Sequence, residues 1–215
     1  MLQQKLIVGR YINLTSPAIA NIPHNNGDFV AQPQCLLTLQ QSTTTGSFFK
    51  GTKKRQSSVV GGVGAKAHRN FQWLTWLPGA ITHVPVGGVD VLTGPMSGCQ
   101  LVLFNLGAAV QAGHLGTDVA SPAATTAVKN AWNAFANLHP ADVVGGFNPL
   151  NDWAGPFPSQ RAGKEGAGVK IFGLLTVNGQ FYTVVTYPQN TNANLLRIAG
   201  VQLIPSANLA TLQNL

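Results

Sequence analysis

Acidic side chains are the scarcest feature of this sequence. Only six of its 215 residues are Asp or Glu, and Glu165 is the single glutamate. The formal net charge of +7 at pH 7 comes mostly from that shortage. Cysteine is nearly absent too: Cys35 and Cys99 are the only two, without framework spacing, which argues against a disulfide-stapled scaffold. No Cys-x-x-Cys or His-x-x-x-His pair occurs, so neither a metal nor a cofactor is expected. No apolar run approaches the length of a membrane span, so no membrane partner is expected either. The start, Met1–Arg10, has no continuous apolar region and no small-residue cleavage site. The expectation is therefore a chain without a cleavable secretory signal, exported, if at all, by a signal-independent route. No repeat or break in composition divides the chain, and residues 1–215 read as one domain and a monomer.

Positive charge is concentrated in Lys50-Gly51-Thr52-Lys53-Lys54-Arg55. Such a run can face an acidic partner or nucleic acid. No stacking aromatics are interleaved with it, so a solvated loop is the preferred reading and nucleic acid is not expected. Gly61-Gly62-Val63-Gly64-Ala65-Lys66 lacks the spacing of a phosphate loop and reads as a turn.

Short apolar runs separated by Gly, Asn, Thr and Pro predict strands over residues 35–39, 58–63, 71–77, 169–177, 180–187 and 195–204. Asn178-Gly179 suits a two-residue hairpin turn between two of them. One helix is predicted over residues 122–138. Ser121 would cap it, Pro122 would open it, and Val128, Trp132, Phe135 and Leu138 would form its apolar stripe. Residues 145–168 read as a long surface excursion able to shape a substrate surface.

Chemistry concentrates in Thr93-Gly94-Pro95-Met96-Ser97-Gly98-Cys99, followed fifteen positions later by His114. A thiol becomes a good nucleophile when a base takes its proton, and an imidazole is the usual base. Ser97 and Gly98 let backbone amides crowd the sulfur, where an oxyanion would develop. The apolar segments 99–104 and 109–114 flank a four-residue turn and predict an antiparallel hairpin. Pairing Phe104 with Ala109 puts Cys99 opposite His114, with Cβ atoms about 5 Å apart on one face. That spacing suits a thiolate–imidazolium contact, and a thiol so paired would react even at mildly acidic pH. Read without a partner, Cys99 is a buried thiol and His114 a polar turn residue. Asp118, close after His114, is read as a turn cap. Trp73 and Trp76 lie three apart on a presumed strand, so at most one should approach a cleft.

The Thr93-x5-Cys99 spacing with His114 downstream resembles the glutamine-deamidase superfamily that includes the chemotaxis deamidase CheD. Met96-Ser97-Gly98-Cys99 is similar to the Leu-Ser-Gly-Cys signature of the cytotoxic necrotizing factor catalytic domain and of Burkholderia lethal factor. Trp73-Leu74-Thr75-Trp76 resembles a tryptophan-rich strand of the latter. The resemblance spans about residues 71–120. It implies an α+β fold: a β-sandwich of mixed sheets surrounded by helices and long loops. It implies Cys99 as nucleophile, His114 as base, and Thr93 orienting the imidazole through its hydroxyl or its carbonyl. Ser97 and Gly98 would give backbone support to the oxyanion.

The function implied is that of a toxin or effector. It would be secreted or injected, would act in the target-cell cytoplasm, and would deamidate a glutamine of a target-cell protein through a Cys thioester. A transglutaminase or cysteine protease could use the same Cys–His pair, and a non-catalytic basic β-rich binding module would leave the pair incidental.

Overall fold

A computed structural model describes residues 1–14, 17, 22–45 and 53–205. Thirteen strands and one α-helix form among them: β1 (Tyr11–Asn13), β2 (Phe29–Ala31), β3 (Leu36–Thr45), β4 (Lys53–Gly61), β5 (Asn70–Leu74), β6 (Ile81–Pro85), β7 (Asp90–Thr93), β8 (Gln100–Leu106), β9 (Ala109–Leu115), α1 (Pro122–Leu138), β10 (Val143–Phe147), β11 (Lys170–Leu175), β12 (Phe181–Gln189) and β13 (Asn192–Ile204). Eight of them close into a barrel in the order β1-β13-β12-β11-β7-β5-β3-β4. The three-residue β1 seals it, antiparallel to β13 and parallel to β4. The other five make a second sheet in the order β10-β8-β9-β6-β2. The expected sandwich is thus a barrel beside a sheet, and one α-helix, not a surrounding set, is present among the described residues.

Three apolar clusters follow from this layering. Leu37, Leu39, Phe71, Trp73, Leu92, Phe172, Leu174 and Ile198 fill the barrel, together with Leu2 and Leu6 from the start of the chain. The Leu2 amide donates to the buried Asp90 carboxylate, which also accepts from the Val177 amide at 2.8 Å. A second cluster, with Leu74, Val91, Met96, Cys99, Leu101, Leu103 and Ala112, fills the seam between barrel and sheet. The third lies on the sheet's other face, where Ile81, Val102, Phe104 and Leu115 meet Val128, Trp132 and Ala136 of α1. Trp132 stands edge-on to Phe104 at 5.5 Å, a geometry that adds about 1 kcal/mol to the area it buries.

Several local expectations change. Leu138 is 76% exposed, and the buried stripe of α1 runs through Ala124, Val128, Trp132 and Ala136, each four residues apart. The Ser121 side chain makes no capping bond. Instead the Thr125 hydroxyl donates to the Asp118 carbonyl and accepts from the Asp118 amide, both at 2.9 Å. The β11–β12 turn holds three residues rather than two: Thr176 pairs with Gln180, and Gly179 at φ +76° supplies the left-handed position of a bulged hairpin. Of the basic run, 53–55 belong to β4 rather than to a loop, and 50–52 lie outside the described residues.

Candidate active site

The Thr93–Cys99 segment is the passage of the chain from barrel to sheet. Thr93 ends β7 in the barrel, Cys99 stands immediately before β8, and the Gly94–Pro95 bond between them is cis. The Met96 amide donates to the Ile171 carbonyl at 2.8 Å and ties the turn to β11. Gly94 is the residue this crossing demands: a Cβ there would lie 2.7 Å from the Phe172 ring, and its φ is +142°.

The β8–β9 hairpin forms, but in a different register. Gly107 at φ +62° opens a tight two-residue turn, Leu106 pairs with Ala109, and Leu101 therefore faces His114. The slip is two residues, an even number, so each side chain keeps its predicted face. Cys99 consequently lies on the diagonal of the Leu101–His114 pair rather than opposite His114, at a Cβ separation on the order of 7 Å if the ladder is continued.

His114 is completely buried, and its Nδ1 lies 2.6 Å from Thr93 Oγ1. Thr93 Oγ1 also lies 2.7 Å from the Leu74 carbonyl, which can only accept. The single hydroxyl proton therefore goes to Leu74, and Thr93 Oγ1 accepts from His114 Nδ1–H. Thr93 acts through its hydroxyl, and the neutral imidazole carries its free lone pair on Nε2. That atom is buried without a partner. Burial pushes the His114 pKa down to about 3, so the ring is neutral at physiological pH.

Cys99 Sγ is engaged by Thr117 and makes no hydrogen bond to His114. The Thr117 hydroxyl donates to the sulfur at 3.4 Å, and the thiol donates to the Thr117 carbonyl at 3.5 Å. Burial pushes the thiol pKa up; the Thr117 contacts and a Ser97 backbone hydrogen bond pull it part of the way back, while the Asp118 charge adds to the rise. The resting pair is a neutral thiol beside a neutral imidazole. The expected thiolate–imidazolium contact is not formed, because Cys99 lies on the diagonal of the Leu101–His114 pair and its sulfur is engaged by Thr117.

Cys99 opens onto a cavity of about 680 Å³ that Trp73, Thr75, Trp76, Pro95, Ser97, Thr117 and Asp118 help to line. Both tryptophans contribute. The alternation rule fails because β5 ends at Leu74, and the irregular segment beyond it turns Trp76 to the same side. The Trp76 indole donates to the Thr117 carbonyl at 3.3 Å. Ser97 and Gly98 are exposed at the rim; the Ser97 amide is engaged by the Cys99 sulfur, whereas the amides of Gly98 and Cys99 make no backbone–backbone hydrogen bond among the described residues and can hold an oxyanion. Gly98 sits at φ +134°, a conformation other residues rarely adopt. Asp118 Oδ1 accepts from the Ala120 amide at 2.9 Å, a turn-capping bond.

Residues 145–147 belong to β10 and are buried rather than part of the expected excursion, and the remainder, residues 148–168, does not line the cavity. Its contribution is Asn148, whose Nδ2 donates to the Gly98 carbonyl at 3.3 Å. Thr117 and Asn148 both went unread in the sequence: a lone Thr or Asn in a loop carries no spacing signal that ties it to a thiol. No metal-holding cluster of His, Cys, Asp or Glu exists among the described residues.

No protein-family model matches the chain, and comparison with curated protein sequences finds no significant relative.

Proposed function

We propose that this protein is a cysteine hydrolase that deamidates a glutamine side chain of a target-cell protein. The observation that carries the reading is the His114 imidazole, tethered at Nδ1 by Thr93, with its basic Nε2 buried and unpartnered on the face of the sheet that also carries Cys99. An imidazole held in this tautomer carries on Nε2 the lone pair a general base requires.

In the reaction, Cys99 Sγ turns from Thr117 toward Nε2, gives up its proton and attacks the carboxamide carbon. The oxygen gains the electron pair and is held by the amides of Gly98 and Cys99. The imidazolium then protonates the nitrogen, the C–N bond breaks, and ammonia leaves a thioester on Cys99. Water, deprotonated by Nε2, cleaves the thioester to glutamate and regenerates the thiol. Thr93 is a positioning residue that fixes the tautomer. A glutamine on a protruding segment fits the open, largely apolar mouth formed by Trp76, Pro95, Val119 and Ala120. Among the described residues no helix is long and apolar enough to cross a membrane. Action on a protein inside a target cell is part of the same proposal.

The test is mass spectrometry of a target-cell extract incubated with the native protein or with Cys99→Ser. Deamidation gives a new glutamate, a gain of about one dalton, with release of ammonia as the thioester is hydrolysed. Amine-adducted glutamine would indicate a transglutaminase, new peptide termini a protease. Equal extracts from native protein and variant would overturn the enzyme reading.

A further inference from the structure

Strands β5 and β7 run in parallel from one end of the barrel, where Asn70 and Asp90 stand, to the other, where Leu74 and Thr93 meet the His114 site. The first end gathers positive charge from segments far apart in the chain. Lys5 follows the 3-10 turn Leu2–Gln4, which the Asp90 carboxylate anchors. Lys66 and Arg69 bound the 3-10 turn that leads into β5, and Arg69 Nη2 donates to Gln41 Oε1 of β3 at 3.0 Å. β3 continues from Thr38, its last partner on β5, to Thr45, an overhang of about 23 Å that pairs with β4. Register places Lys53, Lys54 and Arg55 opposite Thr45, Thr44 and Thr43 on that overhang. Arg10 precedes Tyr11, which pairs with Gln56 in parallel, so its backbone lies next to that of Arg55.

No acid offsets these cations. Asp90 and Glu165 are buried and partnered, and Asp28, Asp118, Asp142 and Asp152 lie in segments around the second sheet. Among the described residues, no ion pair involves Lys5, Arg10, Lys66 or Arg69. Their fields overlap at His68: desolvation, then the charges of Lys5, Arg69 and Lys66, hold its pKa below the usual value. Exposed aliphatic side chains are interleaved with the charges. Ile7 and Val8, 38% and 55% exposed, lie between Lys5 and Arg10, and Val63, 65% exposed, precedes Lys66.

That mixture suits the surface of an anionic bilayer, where ammonium and guanidinium groups meet phosphates and aliphatic groups enter the acyl boundary. Single-stranded nucleic acid fits less well, because its bases need stacking aromatics, and the exposed Trp76 lines the Cys99 cavity instead.

We propose that this end of the barrel is a peripheral docking surface for a membrane rich in anionic phospholipid. The absence of a spanning run does not bear on it, since a peripheral surface needs none. The proposal stands apart from the deamidase reading. None of the cations lines the Cys99 cavity, so docking leaves its mouth free.

The test is flotation of the full chain with phosphatidylcholine vesicles, with and without about 30 mol% phosphatidylserine. The native protein should float with the anionic vesicles and not with the neutral ones. It should be released as NaCl rises from about 0.1 M to about 0.5 M. Lys5→Gln/Lys66→Gln should lower partitioning about 25-fold, at about fivefold per cation. Lys129→Gln/Lys164→Gln removes the same charge from exposed positions elsewhere and should change it by less than about twofold. Ile7→Ser/Val8→Ser should lower it about tenfold at every salt concentration.

Equal binding to both kinds of vesicle, binding to neither, or equal losses in the two lysine doubles overturns the proposal. If single-stranded RNA displaces the protein while Ile7→Ser/Val8→Ser leaves vesicle binding intact, the patch belongs to nucleic acid and the proposal is equally overturned. Melting temperatures of the variants, expected to match the native value, separate lost binding from lost folding. The native protein's choice between the two vesicles decides the matter even where a variant is destabilised.

Discussion

Two pairs of ionisable side chains buried among the described residues are treated in opposite ways. Glu165 and Arg197 are charged and fully partnered. The Arg197 guanidinium donates to both Glu165 oxygens, one through Nε and the other through Nη2 at 2.9 Å, and the Arg161 amide donates to the same carboxylate at 2.8 Å. Arg197 also donates to the Ser159 carbonyl at 3.0 Å and lies over the Tyr187 ring at 5.7 Å. Burial alone would raise the Glu165 pKa, but the Arg197 and Arg161 contacts outweigh it and hold the carboxyl below its usual value. Cys99 and His114 are buried too, yet neither is charged at rest, and one nitrogen is left with nothing to bond. Complete satisfaction fastens the 148–168 excursion to β13. Incomplete satisfaction leaves His114 Nε2 free for the base role proposed above. On that proposal, the difference separates a structural pair from a reactive one more sharply than residue type does.

The strongest way to break the comparison is to remove the reactive nitrogen alone. His114→Asn keeps an N–H for Thr93 Oγ1 but has no Nε2. Deamidation should fall by about 10³-fold or more, as when a general base is deleted from a catalytic unit, with stability changed by only about 1 kcal/mol. Turnover and thermal melting measured side by side check this. A variant that loses both equally would make His114 a structural residue. Next in size is the converse change. Glu165→Gln leaves the Arg197 charge buried and should cost about 3–5 kcal/mol in denaturant unfolding, with turnover below the transition unaltered.

Acid sharpens the same contrast. The folded-state pKa of His114, about 3, lies below its ordinary 6.5, so between those values the unfolded chain binds more protons than the native one. Stability should therefore fall as pH drops below 6.5, by about 1.4 kcal/mol per pH unit, and stop falling near pH 3. Glu165 has the usual carboxylate sign, and its contribution is present above pH 4.5 and lost as pH falls through its depressed folded value. His24 opposes both: hydrogen bonds to the Ile22 and Pro78 carbonyls raise its pKa, so its contribution is present below 6.5 and lost as pH rises. The predicted signature is a loss of stability that begins near pH 6.5 in the native protein and only near pH 4.5 in His114→Asn, measured by urea unfolding across the range.

How much of this was legible in the sequence depends on range. Short apolar runs and turn residues located most strands, and Pro122 with an apolar stripe located α1. Those signals are local. The hairpin register was misjudged by two residues because apolar runs 99–104 and 109–114 do not reveal where a turn tightens; Gly107 did so, and parity preserved the face. Barrel closure was invisible, since β1 is three residues in a turn-rich stretch and its partners β4 and β13 lie far along the chain. The Thr93–His114 contact agrees with what the resemblance implied, and the shared face of Cys99 and His114 with the parity of the predicted hairpin. The protonation state of these groups was not legible, because that depends on how completely the seam buries them. Thr117 was illegible for a similar reason: its contact with the sulfur is a property of packing.

The smallest expected effect concerns the one place where the two regions meet. The excursion fastened by Glu165 and Arg197 reaches the nucleophile turn through Asn148, whose Nδ2 donates to the Gly98 carbonyl. In a trans peptide the carbonyl and the following N–H point to opposite sides, so holding Gly98 O toward Asn148 turns the Cys99 amide the other way, available to an oxyanion. Asn148 Oδ1 meanwhile accepts from the amides of Leu150 and Asn151 at 3.0 and 3.1 Å. Asn148→Asp keeps those loop bonds but replaces the donor to Gly98 with a carboxylate oxygen that repels the carbonyl, close to the Asp152 carboxylate. Its kcat should fall by about tenfold, the worth of the lost hydrogen bond plus that repulsion, with KM unchanged. Asn148→Ala, which frees the loop as well, should lower the melting temperature in addition. If Asn148→Asp keeps full kcat, the excursion only covers the barrel, and the structural and reactive regions are uncoupled. A loss in kcat confined to Asn148→Asp would mean that the satisfied pair, by holding Asn148 in place, helps to aim the amide that the unsatisfied pair depends on.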